Sequence, residues 1–323
     1  TTIPSMITRQ IQTEVELSRY TSARVGGPAE ALLMANTAND LAEIVSVLWE
    51  METPYRILGG GSNVLVSDAG VRAVVVLNRS REVRFNDTGT PPTVWAESGT
   101  NFGALARQAA ARGLSGLEWA AGIPGTLGGA VIGNAGAFGS DLSKNLVVAE
   151  ILHHIVEMET NQFAMARREL WPVQAFKYAY RTSVLKRQSG VMVVLAARLH
   201  LERSTPEAVE AQIDTYNVTR HRIQPPGAST GSMFKNPPGD YAGRLIEAAG
   251  LKGTQVGGAQ ISPLHANFFI NQGNASASDF YQLIELARRS VAEKFGVDLE
   301  LEVELLGEWP AGQASTGKAI EGK

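Results

Sequence analysis

The chain has 323 residues, 44% of them hydrophobic, a net charge of -3 and no cysteine. A length above that of one ordinary domain predicts two or three domains around a shared cleft. The near-neutral charge makes no electrostatic case for a nucleic-acid partner, and the missing cysteines exclude disulfides, thiolate metal sites and cysteine nucleophiles.

The first residues, TTIPSMITRQIQTEVELSRYTS, are polar and lack a signal-peptide core, and no apolar run reaches membrane-spanning length. A cytoplasmic protein with no membrane partner is therefore expected. Leu41, Ile44, Val45 and Leu48 recur at helical spacing, which predicts a helix over 39–51 capped by Asn39 or Asp40. A strand over 55–58, a glycine loop and a strand over 74–77 follow, an alternation that reads as a small α/β lobe. A helix over 102–112 ends at Gly113. Strands are expected over 147–158 and 191–201, and the Pro- and Gly-rich segment 223–240 reads as loop. Helices are expected over 241–249, closed by Gly250, and over 278–295, with Ser278 as cap. Residues 297–306 alternate apolar and acidic, which predicts a strand. The segment after Glu308 (WPAGQASTGKAIEGK) reads as a disordered tail.

Two glycine-rich runs carry most of the functional signal: LGGGSNVLV at 58–66, and GIPGTLGGAVIGNAGAFG at 122–139, which has seven glycines and no charge. Without a Cβ the backbone can approach a flat or anionic group closely, and its N–H groups can bind phosphate without a cation. Two such runs imply one large cofactor with an internal pyrophosphate. The first lacks both the Gly-Lys-Ser/Thr ending of a Walker loop and the spacing of a dinucleotide fingerprint, so alone it reads equally well as a tight turn. Ser62 and Asn63 add donors that a plain turn does not need.

Gly227-Ala228-Ser229-Thr230-Gly231 matches the hydrolase Gly-x-Ser-x-Gly elbow, but its proline-rich flanks supply neither the strand nor the helix that the elbow requires. The five histidines show no metal spacing, so no metal is expected, and His265 reads equally well as a core residue. Asp298, Glu300, Glu302 and Glu304 on one face repel one another unless water or a cation relieves them. Arg181, in KYAYRTS, reads by itself as a surface arginine.

In order, YTSARVGGPA, LGGGSNVLV, GIPGTLGGAVIGNAGAFG, YAYRTS, GSMFKNP, AGRLIEAAGLKG, GGAQISPLHANFFIN and LELEVELLG resemble the UDP-N-acetylenolpyruvoylglucosamine reductase family. Its members form UDP-N-acetylmuramate for peptidoglycan. The resemblance spans about residues 18 to 307, and the chain length fits the family's shorter second class. It implies an α+β fold: a two-lobed FAD-binding domain of the vanillyl-alcohol-oxidase (PCMH) type and a C-terminal α+β substrate domain. The expected boundaries are 1–77 and 78–203 for the two FAD lobes, 204–307 for the substrate domain and 308–323 for the tail.

By that resemblance FAD is bound non-covalently, with Gly59, Gly60, Gly61, Ser62 and Asn63 along its pyrophosphate. Ala121, Gly122, Gly125, Gly128, Gly129, Asn134 and Gly136 line the flavin side. Arg181 and Glu302 are implied to be catalytic and Ser232 to be the proton donor. Tyr180, Lys235, Asn236, His265 and Asn267 are expected to bind substrate. NADPH is the co-substrate and UDP-N-acetylglucosamine enolpyruvate the acceptor, on a monomer. Departures from the family pattern are Leu301 where proline is usual, Phe138 where tyrosine is usual and Ala179 where glycine is common. An FAD-linked oxidase and a non-catalytic nucleotide-sugar binder are the alternative readings.

Overall fold

The computed structural model describes residues 11–155, 165–188 and 190–309. The last three residues of the expected strand over 147–158, and residues 310–323 of the expected tail, lie outside the described residues. The first lobe contains β1 (Gln12–Glu16), β2 (Pro28–Ala35), helix α1 (Ala38–Glu50), β3 (Tyr55–Leu58), β4 (Val64–Val66) and β5 (Val71–Asn78). Its sheet runs β1-β2-β5-β3, with β2, β5 and β3 mutually parallel. The cap of α1 is Thr37. Asp40 sits at the third helical position, where it closes a capping box instead of acting as the cap. Leu41, Ile44, Val45 and Leu48 bury against this sheet together with Leu152, Val193 and Leu195 from the second lobe. Each such side chain contributes roughly 1.5–3 kcal/mol, so α1 cements the first two lobes.

The second lobe holds β6 (Val83–Asn86), β7 (Thr93–Glu97), α2 (Phe102–Ala110), α3 (Leu127–Gly133), β8 (Leu146–Ile155), β9 (Met165–Pro172), α4 (Val184–Arg187), β10 (Met192–His200) and α5 (Pro206–Ile223). Its sheet is antiparallel in the order β9-β8-β10-β7-β6. Two of these helices have little periodic signal. Helix α3 lies inside the glycine run, and α5 buries only Val209 and Ile213. Both α5 side chains join the second lobe's core, so α5 packs with that lobe and not with the chain that follows it.

The remaining chain forms β11 (Ala228–Ser232), α6 (Ala242–Ala248), β12 (Gln255–Val256), β13 (Ala259–Ile261), β14 (Phe268–Asn271), α7 (Ala277–Phe295) and β15 (Glu304–Leu306). The expected loop over 223–240 thus contains the last residue of α5 and an edge strand, β11, in the sheet β11-β14-β13-β12. The cap of α7 is Ser276, not Ser278. Ser278 instead donates its hydroxyl to Asp68 of the first lobe, whose carboxylate also accepts from the N–H groups of Ala277 and Ser278. These orphan helix N–H groups are therefore satisfied across two lobes. Ala23, Val25 and Leu65 of the first lobe complete the core of this third unit.

The expected strand over 297–306 is regular only at 304–306. Residues 300–303 bond sideways to 233–235, through Lys235 N–H to Glu300 O (2.9 Å) and Glu302 N–H to Met233 O (2.9 Å). The chain then changes partner and pairs in parallel with β4. The burial alternation survives, with Leu299, Val303 and Leu305 buried. Trp309, placed in the tail on sequence, donates its indole N–H to Leu306 O and packs on Tyr281 at 5.1 Å. Glu308 pairs with Arg72 at 3.2 Å.

Candidate active site

The two glycine runs meet face to face. A Cβ on Gly60 would lie 2.8 Å from Gly125 Cα, one on Gly59 2.4 Å from Thr126 Oγ1, and one on Gly125 2.6 Å from Ser62 Oγ. The Ser62 hydroxyl donates to Pro124 O at 3.3 Å. Gly61 has φ +60, and a Cβ there would stand 2.0 Å from Tyr20 O, so no other residue fits this turn. Among the described residues, the N–H groups of Gly60, Gly61, Ser62 and Asn63 donate to no protein acceptor. Consecutive undonated N–H groups in a turn form an anion-binding concavity.

The second run is more engaged than its glycine content suggests. The Gly128 N–H donates to Ser98 O, Gly129 lies in α3, and Ala121 is buried. Gly122 faces the Arg220 guanidinium, and Gly136 packs on Ser140 and Asp141. Asn134 closes α3 in the left-handed conformation at φ +46. Its side chain accepts from Ser143 N–H and donates to Ala179 O.

The glycine run therefore docks the turn that carries Arg181. The Tyr178 hydroxyl donates to Val131 O at 2.7 Å, and the Ser183 hydroxyl to Ile132 O at 2.6 Å. Ala179 and Thr182 exchange two backbone hydrogen bonds across Tyr180 and Arg181. This tight turn leaves Arg181 at φ +55, a conformation that costs a non-glycine residue roughly 1–2 kcal/mol. The guanidinium lies over the exposed Tyr180 ring, and Arg181 Nε sits 2.8 Å from Glu302 Oε1. That contact is an ion pair whose N–H is not aligned as a hydrogen bond.

Each of three alternating glutamates has its own cation. Glu300 pairs with Lys235, Glu302 with Arg181, and Glu304 with Lys186 at 3.4 Å. The repulsion expected along this face is relieved by side chains of the chain itself. Only the Glu302 side chain is largely buried, at 17% exposure against 73% and 45% for the other two. Burial pushes its carboxyl above the ordinary carboxylate range, opposed by the charges of Arg181, Lys186 and Lys235. Lys186 carries no motif of its own. The Ser183 cap of α4, which accepts from Lys186 N–H, fixes the start of its helix.

Ser232 ends β11 after Gly231 at φ +78, and a register irregularity between Ser229 and Ser232 re-aims it. Its hydroxyl has no protein hydrogen bond among the described residues. The next residue, Met233, accepts from Glu302 N–H, which ties the serine and glutamate segments together. Tyr180, Lys235 and Asn236 share a cleft of about 320 Å³ with Thr182, Pro237, Pro238, Asp298 and Glu300.

Three expected substrate contacts are engaged elsewhere. Asn267 is 3% exposed, and its amide both accepts from Phe234 N–H at 2.9 Å and donates to Phe234 O at 2.8 Å. A side chain bound at both ends inside the core braces the chain. His265 Nδ1 accepts from Asn267 N–H, and its ring packs on Phe268 and against Gly243; burial pulls its pKa down. The Asn236 side-chain oxygen Oδ1 accepts from Ala242 N–H and so satisfies the first turn of α6, although Asn236 still borders the cleft. Among the described residues no group of three or more His, Asp or Glu could hold a metal ion, and no helix is long and apolar enough to cross a membrane.

Residues 224–306 match the model of the UDP-N-acetylenolpyruvoylglucosamine reductase C-terminal domain, and residues 29–154 match an FAD binding domain. The UDP-N-acetylenolpyruvoylglucosamine reductase of Chloroflexus aggregans is 45% identical over 293 residues, covering 90% of this chain and 95% of that protein. The enzyme of the same name from Bacillus subtilis is 39% identical, over 90% and 92%. The crystal structure of the reductase from Thermus caldophilus superposes with a TM-score of 0.74 at 34% identity, over 92% of this chain and 99% of that one.

Proposed function

The chain belongs to the UDP-N-acetylenolpyruvoylglucosamine reductase family, and from that premise we propose that Arg181, Ser232 and Glu302 carry the substrate half of its reaction. It is an FAD-dependent oxidoreductase of peptidoglycan-precursor synthesis. The undonated N–H groups of Gly60 to Asn63 fit a pyrophosphate, and the close approach of Gly59 and Gly60 to the second run fits a cofactor held between the lobes. When bound and reduced by NADPH, the flavin would supply the hydride. In our reading, residues 11–78 and 83–223 form the FAD lobes and 224–306 the substrate unit. The packing of Val209 and Ile213 in the second lobe's core supports a boundary near Gln224 in place of 204.

The observation that carries the mechanism is the Arg181–Glu302 pair, with Glu302 N–H bonded to Met233 O on the residue next to Ser232. An enolpyruvyl ether accepts a hydride at its vinyl carbon and a proton at the adjacent carbon, and negative charge builds toward its carboxylate between the two events. Arg181 is held by its turn before substrate arrives, and its fork matches a carboxylate. Preorganised charge of this kind is usually the largest catalytic contribution. Ser232 Oγ delivers the proton to the adjacent carbon. Glu302 fixes Arg181 in place, and Lys235 adds positive charge for the anionic nucleotide sugar. The protein acts as a monomer in the cytoplasm.

Purified protein that carries FAD and oxidises NADPH only when UDP-N-acetylglucosamine enolpyruvate is added supports this reading. NADPH oxidation that proceeds equally with oxygen alone contradicts it.

A further inference from the structure

We propose that the Asn63 side chain is a positioning residue for Glu302 and not a ligand of the cofactor, an inference that rests on the reductase reading above. Asn63 ends the first glycine loop, and its side-chain amide donates to Glu302 O at 3.0 Å. Its own carbonyl accepts from Glu304 N–H at 3.0 Å, and the next residue, Val64, opens the parallel pairing with Glu304.

Glu302 lies outside any strand, at the point where 300–303 leave Met233 and 304–306 join β4. Among the described residues, two hydrogen bonds hold its backbone: its N–H to Met233 O, and its carbonyl from Asn63 Nδ2. Asn63 therefore divides its work. Its backbone N–H, with those of Gly60, Gly61 and Ser62, remains for an anion, while its side chain fixes the peptide that aims Glu302 at Arg181. The loop that holds the cofactor and the carboxylate that steadies Arg181 thus share one residue.

The test uses the FAD-loaded enzyme with Asn63→Ala and Asn63→Leu. Both are expected to retain FAD, read from flavin absorbance per chain, and to be reduced by NADPH at the original rate. Sugar-dependent reoxidation should fall about 10- to 100-fold, as for a small misplacement of reacting groups. In a Glu302→Gln background, Asn63→Ala should add no more than about a twofold loss, because residues that act through one another are not additive. Loss of FAD, or an undiminished further loss in that background, would overturn the proposal. If the alanine variant does not fold, the leucine variant, which is close in size, cannot donate and brings no charge to the anion-binding loop, carries the same expectations. An unsubstituted enzyme that shows no sugar-dependent reoxidation would instead sink the reductase reading itself.

Discussion

Arg181 and Glu302 form an ion pair at 2.8 Å in which the arginine sits in a left-handed turn and the glutamate at a change of strand partner. Neither residue occupies a regular element. The Arg181 turn is held by α3 of its own lobe, and Glu302 by Met233 of its own unit and by Asn63 of the first lobe.

The raised Glu302 carboxyl makes stability depend on pH in a defined direction. Desolvation holds its proton to a higher pH in the folded chain than in the unfolded one. The folded state therefore binds more protons above the ordinary carboxylate range, and this contribution to stability is lost as the pH rises through the folded value. Thermal melts of the unsubstituted protein and Glu302→Gln between about pH 4 and pH 7 should show the variant gaining on the parent as the pH rises. Parallel curves would show that Glu302 is not desolvated.

Gly60→Ala tests the meeting of the glycine runs. The new methyl would lie 2.8 Å from Gly125 Cα, and overpacking of this kind costs about 1–3 kcal/mol. The variant should fold by circular dichroism but lose FAD on gel filtration. Unchanged retention would place the cofactor elsewhere.

Asn267→Ala should lower stability by about 1–3 kcal/mol, because it strands the buried N–H and C=O of Phe234. Denaturant melts measure this directly. An unchanged midpoint would mean that water replaces the amide, and that its brace role is small.

The site residues were legible only through the resemblance of their motifs to a family: read alone, Arg181 was a surface arginine and the first glycine loop equally well a tight turn. What was not legible depends on neighbours. The glycine run hides α3, since LGGAVIG has poor helix propensity and is held by burial of Leu127, Ala130 and Val131. Helix α5 shows too few apolar positions for its period to be visible. The alternation over 297–306 reads as one strand, yet β4 offers only a three-residue partner, and the segment before it binds 233–235 instead. Motif membership also could not separate ligand contacts from braces. Asn267 and His265 sit in the same motif as their neighbours, and only their hydrogen bonds show that they hold the chain.

The central claim is that the cofactor seat and the groups that act on substrate are separate parts of one cleft, and Ser232→Ala tests it most directly by stopped-flow measurement of the two half-reactions. Flavin reduction by NADPH should stay within about twofold of the parent, while sugar-dependent reoxidation falls by about 10²- to 10⁴-fold, the range of a lost general acid. Equal loss of both half-reactions, or undiminished reoxidation, would contradict the account.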